Sequence, residues 1–358
     1  MDDSLKQLRD SIDSIDKEIV ERLNERVRLA ARIGHIKHEQ GMDIYVPSRE
    51  EEVFDKLVAS SKGPLPDKAL RKIYREVISA AIALEKQLTI AYLGPEGTYT
   101  HQAAMKQFGS SCNYSRCRVV PDVFAAVKRG DADYGIVPVE NSTQGTVLGT
   151  LDDLVQSELL ITAQVYLEIN HFLVSKSPLS EILTVYSKDN ALGQCRQWLA
   201  RMLPDAEQIA CDSTAAAVVH ARDNEGVAAI GSRVAAEMYE VPIIAENIAD
   251  VGDNVTRFIV IGKHSSPPLG KGRDRTSIVF TIRDRPGQLV DVVSCFSKRG
   301  INLCKIESRP TRRKAWDYYF YIDFIGHVDE AHVKEAMSEL ESLCPMVRWL
   351  GSYPDTGL

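Results

Sequence analysis

Between Ser4 and Ile33 the chain contains neither Gly nor Pro. Leu5, Leu8, Ile12, Ile15, Ile19, Leu23, Val27, Ala30 and Ile33 recur there at steps of three and four. That spacing predicts one long helix with a single apolar stripe. Gly41 and Pro47 mark the connection that follows, and Ser48 with Glu51 has the form of a capping box opening a short second helix. Gly63-Pro64-Leu65-Pro66 breaks that helix, and Asp67 is placed to cap a third, ending near Gln87. Residues 1–87 therefore read as all helix. The first helix is too long to be covered by the other two, which implies burial against a partner chain.

Arg9, Arg26 and Lys37 lie beside the stripe. Arg26 and Lys37 fall within about 20° of one helix face and about 16 Å apart along the axis. Two long cationic side chains at that distance can lean toward each other over a small dianion. Arg9 is about 25 Å from Arg26 on the same axis. It cannot serve the same small ligand in cis, so any role for it belongs to a site in a second protomer.

From 88 to 262 the pattern changes to short apolar runs alternating with helical segments. Strands are predicted at 88–93, 117–120, 133–139, 182–187, 227–231 and 257–261, with a further β-rich stretch at 159–175. Helices are predicted at 100–108, 122–129, 146–157, 191–203, 213–223 and 233–239. Such alternation implies open α/β sheets with ligands at the carboxyl ends of strands, here arranged as two small lobes facing a cleft. Lys263 to Asp274 is polar and rich in Pro and Gly, as a linker would be. Residues 275–358 then read as strand (276–282), helix (287–299), strand (301–307), strand (317–325), helix (328–342) and strand (346–350). This βαββαβ order is ferredoxin-like.

The totals narrow the function classes. A formal charge of −7, with no basic domain, argues against nucleic-acid binding. The seven cysteines are odd in number, and none has CxxC spacing, so neither a zinc site nor a disulfide framework is indicated. No cofactor or metal is expected. No apolar run reaches the length of a membrane span, and no signal peptide is seen. The expectation is a cytoplasmic protein.

Four short motifs carry polar groups at element edges. Gly94-Pro95-Glu96-Gly97-Thr98-Tyr99-Thr100 follows a predicted strand and opens a helix, where free N–H groups favour an anion. It lacks the Lys of a phosphate loop, and a plain strand-to-helix turn explains it equally well. Val139-Glu140-Asn141-Ser142 ends a strand. Tyr186-Ser187-Lys188 ends another, with Gln194 on the helix beyond. Asn254-Val255-Thr256-Arg257-Phe258 begins the last strand. Singly, each reads more simply as a turn or cap. Together they would line a cleft for a carboxylated, hydroxylated small molecule. No Cys–His or Ser–His–Asp arrangement is visible, and His101 and His171 have no partner in sequence, which argues against covalent catalysis. In the last region, Asp284-Arg285-Pro286-Gly287-Gln288-Leu289 turns into a helix, and Glu307-Ser308-Arg309-Pro310 closes a strand.

In fixed order, these motifs resemble the bifunctional chorismate mutase/prephenate dehydratase family across nearly the whole chain. The first region is similar to the all-helical chorismate mutases at Arg9, Arg26, Lys37, Arg49 and Glu50. GPEGTYT, VPVENS, TVYSK with Gln194, and NVTRF resemble the signatures of prephenate dehydratase, a two-lobed fold like that of periplasmic binding proteins. DRPGQL and IESRPTRR resemble the ACT regulatory domain. The resemblance implies chorismate and prephenate as substrates, L-phenylalanine as an allosteric inhibitor, and a homodimer or higher homo-oligomer. It assigns Arg9 (from the partner) and Arg26 to the carboxylates of chorismate, and Lys37 to its ether oxygen. Arg49, Glu50 and Glu85 would complete that site. It assigns Thr256 as donor to the hydroxyl leaving prephenate, with Thr98, Asn141, Ser187, Gln194 and Arg257 binding substrate. Phenylalanine would meet Gly287, Gln288, Leu289, Glu307, Ser308, Arg309 and Pro310.

The chain departs from the family pattern at Val46 (often Asp), Ala81 (often a hydroxyl), Glu85 (Gln in some members), Lys188 (often His) and Gln288 (often Ala). Two other readings stand beside this one. One is a non-enzymatic two-lobed sensor. The other is a dehydratase whose helical arm only dimerises, which the set Arg9, Arg26, Lys37 and Arg49 disfavours.

Overall fold

A computed structural model describes residues 2–270, 272–311 and 317–357. The chain divides into two compact units, one of residues 1–88 with 108–113, the other of 89–107 with 114–358.

The first unit is built on α1 (Asp2–Glu39), α2 (Pro47–Ser60) and α3 (Asp67–Glu85). Residues 4–22 of α1 are exposed along their whole length in the single chain. The stripe is open there, with Leu8 61% and Ile15 56% accessible. The capping box expected of Ser48 and Glu51 does not form. Pro47 is pre-set for a first helical turn, so α2 starts behind an extended Val46 and Ser48 falls inside the helix. Glu51 instead accepts from Arg71 of α3 at 2.9 Å. Asp67 is likewise the first residue of α3, with Pro66 at the cap position.

The second unit opens with β1 (Thr89–Leu93), α4 (Tyr99–Phe108), β2 (Asn113–Cys117), α5 (Val120–Arg129), β3 (Tyr134–Asn141), the short β4 (Gly145–Thr146), α6 (Leu148–Gln156) and β5 (Leu160–Glu168). The chain then crosses to a second sheet with β6 (Phe172–Ser175), β7 (Thr184–Ser187), α7 (Asp189–Gln194), α8 (Arg196–Met202), β8 (Glu207–Ala210), α9 (Thr214–Asp223), β9 (Val227–Gly231), α10 (Arg233–Met238) and β10 (Ile243–Ala245). It returns in β11 (Val255–Gly262). The first sheet has the order β2-β1-β3-β11-β5 with β4 beside β3, and the second β10-β6-β9-β7-β8. These are the two expected lobes.

Two boundaries move. The strand expected at 117–120 lies at Asn113–Cys117, because Val120 and Pro121 already begin α5. The helix expected at 191–203 is interrupted at Cys195, whose backbone is not helical (φ −115°, ψ 13°).

The remaining elements are β12 (Asp274–Thr281), α11 (Gln288–Ser297), β13 (Leu303–Pro310), β14 (Tyr318–Ile325), α12 (Ala331–Leu343) and β15 (Met346–Pro354). The sheet order β13-β14-β12-β15 is that of a ferredoxin-like domain, and it leaves β13 at an edge. One face carries α11 and α12 through Phe280, Phe296, Ile322, Phe324 and Leu340. The other presents Val279, Tyr319, Tyr321, Leu350 and Tyr353 to the core that holds Val123, Val127, Leu154 and Ile161 of the first lobe. The segment expected to be a linker is tied at its end, where Asp274 accepts from the amides of Leu269 and Gly270. Arg312 and Arg313 of the IESRPTRR motif lie outside the described residues.

Candidate active sites

In the helical unit, α3 gathers partners for the predicted cations. The Arg26 guanidinium lies 5.8 Å from the centre of the Tyr74 ring. Glu50 pairs with Arg75 at 2.5 Å in a buried setting. Burial pushes the Glu50 carboxyl up, against the pull of Arg75. Arg26 Nη1 and Glu50 Oε1 are buried and have no hydrogen-bond partner among the described residues. One donor and one acceptor are thus left for a ligand, since orphaned buried polar atoms carry a free-energy penalty.

Lys37 Nζ donates to the Ile44 carbonyl at 3.4 Å. It lies close enough to Glu85 to act on its carboxyl, which burial pushes up and Lys37 pulls down, leaving it raised. Gly34 permits this approach: a Cβ there would fall 2.1 Å from Glu85 Oε2. Arg9 is exposed, and Arg49 is exposed and paired with Glu52 at 2.5 Å. Sequence reasoning missed Arg75 and Gly34. Arg75 had no signal beyond its helical spacing, whereas Gly34 was visible as the single Gly of an otherwise Gly-free helix.

In the second unit the lobes enclose a cleft of about 1570 Å³. The two motif strands β3 and β11 pair with Thr256 opposite Asn141 and Arg257 opposite Glu140. Alternation along a strand then sends the two pairs to opposite faces. Thr256, Asn141, Asn254, Gln194 and Thr98 line the cleft. Asn141 Oδ1 accepts from the amides of Thr143 and Gln144, both at 3.0 Å. Its Nδ2 must therefore be the atom that faces Thr256 Oγ1, at 2.8 Å. The threonine oxygen accepts that bond, so its own hydrogen is free to be donated.

Arg257 is not in the cleft, contrary to expectation. It is buried on the far face, donating to Gln164 at 2.9 Å, Asp323 at 2.5 Å and the Tyr353 hydroxyl at 2.7 Å. Ser187 is also misplaced by the sequence reading. It is fully buried, and its hydroxyl donates to the Ile230 carbonyl at 2.8 Å within the second lobe. Thr98 reaches the cleft wall, but its hydroxyl is bonded to the carbonyls of Leu93 and Pro95, so it shapes the turn. Glu140 pairs with Lys305 at 3.1 Å, on the sheet face away from the cleft. Among the described residues, the charged groups that line the cleft are Arg116, Arg118 and Lys188, with Asp212 as the carboxylate. Arg116 and Arg118 were missed because they sit at the end of a polar edge strand. Among the described residues no group of three or more His, Cys, Asp or Glu could hold a metal ion, and no helix is long and apolar enough to cross a membrane.

The residues expected to bind phenylalanine divide. Gly287 is exposed with φ +81°, and Leu289, Ser308 and Pro310 are accessible. Gln288 is buried, its amide donating to the Leu343 carbonyl, so it belongs to helix packing. Glu307 accepts from the Thr146 hydroxyl at 2.8 Å, and Arg309 is held by both oxygens of Asp152. Both face the first lobe instead of an open site.

A helical unit with an orphaned cation, a two-lobed cleft with a presented hydroxyl, and a ferredoxin-like domain define a multidomain enzyme for small anionic substrates. Family models match in the same order: chorismate mutase type II at residues 8–86, prephenate dehydratase at 90–266 and the ACT domain at 276–342. The chain is 46% identical to the bifunctional chorismate mutase/prephenate dehydratase of Aquifex aeolicus over 98% of both chains. It is 41% identical to the enzyme of that name from Neisseria gonorrhoeae, over 99% of this chain and 98% of the other. A solved prephenate dehydratase from Arthrobacter aurescens, in complex with L-Phe, superposes with a TM-score of 0.70 at 34% identity, covering 75% of this chain and 90% of that one. The chain belongs to the bifunctional chorismate mutase/prephenate dehydratase family.

Proposed function

We propose that the helical unit rearranges chorismate to prephenate and that the two-lobed cleft converts prephenate to phenylpyruvate. In the first reaction an ether C–O bond breaks and its oxygen gains negative charge. Lys37 meets that oxygen, and Arg26 holds a carboxylate with its unpartnered Nη1. Glu50 Oε1 accepts the substrate hydroxyl, and Arg49 borders the site. Arg9 arrives from a second copy whose α1 covers the exposed stripe, as contiguous exposed apolar surface favours. The catalysis is electrostatic preorganisation, with no covalent step.

In the second reaction hydroxide and carbon dioxide leave together. Thr256 donates its hydrogen to the departing hydroxyl, while Gln194 and the cations Arg116, Arg118 and Lys188 hold the dianion. The observation that carries this reading is the bond from Asn141 Nδ2 to Thr256 Oγ1, which leaves the hydroxyl hydrogen to the substrate. L-Phenylalanine binds the C-terminal domain at the free edge of β13, beside Ser308 and Pro310, where the Gly287 turn of a second copy meets it, and feeds back on the dehydratase. Among the described residues no disulfide joins any of the seven cysteines, which supports a reducing, cytoplasmic setting.

The test is Thr256→Val, which keeps shape and removes the hydroxyl. Given chorismate, this variant accumulates prephenate and forms phenylpyruvate on the order of 10²-fold more slowly. Near wild-type dehydration would remove Thr256 from its role.

A further inference from the structure

Two backbone amides fix a whole circuit of side chains in the dehydratase cleft. With the amides of Thr143 and Gln144 on Asn141 Oδ1, the Asn141 amide cannot turn over. Its Nδ2 donates to Asn254 Oδ1 at 2.7 Å, so the Nδ2 of Asn254 is the atom that donates to Gln194 Oε1 at 3.1 Å. The Nε2 of Gln194 then donates to Thr143 Oγ1 at 2.8 Å, and that hydroxyl returns its hydrogen to Asn141 Oδ1 at 2.7 Å. The ring closes with every donor matched to an acceptor.

One neighbour stands outside the ring. His171, buried at the crossover between the lobes, places Nε2 at 2.7 Å from Gln194 Oε1. Because that oxygen already accepts from Asn254, the ring nitrogen facing it must carry the hydrogen. On the other side, the Tyr99 hydroxyl gives its one hydrogen to the Asn170 carbonyl at 2.7 Å and stands 3.3 Å from His171 Nδ1, a longer contact than the one Nε2 makes to Gln194.

We propose that His171, as its Nε2–H tautomer, is a positioning residue that with Asn254 occupies both acceptor sites of the Gln194 carbonyl. The cleft then meets Gln194 only through N–H. A carbonyl oxygen turned toward a dianionic substrate would repel it, whereas a fixed N–H attracts it. His171 thus acts on the substrate through Gln194, without touching it. Burial, which holds the imidazole below its ordinary pKa against the Gln194 bond, is consistent with a neutral ring.

The proposal rests on the reading that Gln194 binds prephenate, so Gln194→Leu is measured alongside. In the full chain, His171→Leu lowers dehydratase kcat/KM about tenfold, as for loss of a hydrogen bond to a group that meets charge. His171→Gln, whose terminal amide can place an N–H where Nε2–H stood, recovers most of it. The mutase rate of the same samples reports that the helical unit is folded, and their thermal unfolding that the second unit is. ¹⁵N spectra of histidine-labelled protein, with the His171 signals assigned by their loss in His171→Gln, show protonation at Nε2. In Asn254→Asp the carboxylate can no longer donate to Gln194, the amide turns over, and His171 switches to Nδ1–H. An Nδ1–H tautomer in the wild type, or His171→Gln as impaired as His171→Leu, overturns the proposal. So does full activity of His171→Leu beside an impaired Gln194→Leu. If Gln194→Leu is itself fully active, the fault lies in the Gln194 reading on which the proposal stands.

Discussion

Thr256 and Arg257 are consecutive on β11 and serve opposite sides of the sheet. Thr256 lines the dehydratase cleft, while Arg257 donates to Asp323 on β14 of the C-terminal domain at 2.5 Å. Any strain on the Arg257 pair therefore acts one residue from the presented hydroxyl. The pair is buried, and Ser277 also donates to Asp323, at 2.5 Å. Removing one partner leaves the other buried without its nearest opposite charge. Arg257→Leu should destabilise the second unit by about 3–5 kcal/mol, and adding Asp323→Leu should recover much of that loss. Calorimetric unfolding of the four proteins checks it, and simple additivity of the two losses would sink the coupling.

The same pair has a pH signature. Burial alone would push the Asp323 carboxyl up, but Arg257, the bond from Ser277 and the nearby Arg275 outweigh it and hold it below the ordinary range. A depressed carboxylate contributes stability above its unfolded pKa, about 3.9, and loses it as pH falls through the folded value. The stability gap between wild type and the double variant should therefore shrink only below about pH 4. A gap that closes between neutral pH and pH 5 would assign the effect to other groups.

This alternation also explains what the sequence could and could not reveal. VPVENS and NVTRF read as single units in one dimension. In a sheet each splits, with Asn141 and Thr256 going to the cleft and Glu140 and Arg257 to the other face. Nothing in the motif says which face is which. The ferredoxin-like order was legible because Val279, Phe280 and Phe324 belong to strands buried on both faces. Strand β8 was not, because its exposure pattern at the sheet edge leaves no apolar alternation. The first strand boundary slipped for the same reason: β2 is the polar NYSRC, while the apolar Val119 and Val120 lead into a helix that Pro121 helps to start. Helical spacing was enough to place Arg26 and Lys37 near one face of α1, while their assignment to a mutase site came only with the family resemblance. The α3 residues beside the site, Tyr74 at Arg26 and Arg75 at Glu50, depend on which face of α3 meets α1 and α2.

Gly34 offers a test that separates stability from activity. Gly inside a helix costs about 1 kcal/mol relative to Ala, yet here a Cβ would meet the end of the Glu85 side chain at 2.1 Å. Cδ and Cγ lie within 2.6 Å as well, so the whole side chain beyond Cβ must rotate away. Gly34→Ala should keep or raise the melting temperature of the helical unit while lowering mutase kcat/KM on the order of 10²-fold through displacement of Glu85. In a Glu85→Ala background the same change should cost nothing further. A parallel loss in both backgrounds would place the effect elsewhere.

The N-terminal half of α1 is exposed in the single chain, and the proposed second copy that covers it can be tested through Arg9. Arg9→Ala and Lys37→Ala should each lose mutase activity by a factor on the order of 10²–10³. If Arg9 acts in trans, a heterodimer of the two variants contains one site with both cations and one with neither. Mixing after co-expression or refolding should then restore a substantial fraction of the wild-type rate. Heterodimers that form and remain inactive would refute a shared site.

Glu85 poses the last question: if the proposed mutase site places it at the breaking ether bond, an ionised carboxylate there would repel the charge that develops. Burial already pushes its carboxyl up and Lys37 pulls it down, with the net shift upward. The two carboxylates of bound substrate push it further in the same direction. Protonated, Glu85 donates a hydrogen bond to the ether oxygen as a Gln would; ionised, it has no hydrogen to give. Mutase kcat/KM should therefore rise as pH falls from about 9 to about 5, until other carboxyls in the site begin to protonate. Glu50, also pushed up by burial, is the first of these. Glu85→Gln should flatten the Glu85 contribution and gain most over wild type at high pH, whereas the Glu50 limb is common to both proteins and cancels in their ratio. If the ratio of the two proteins' kcat/KM stays constant across that range, Glu85 remains charged and serves only to pair with Lys37.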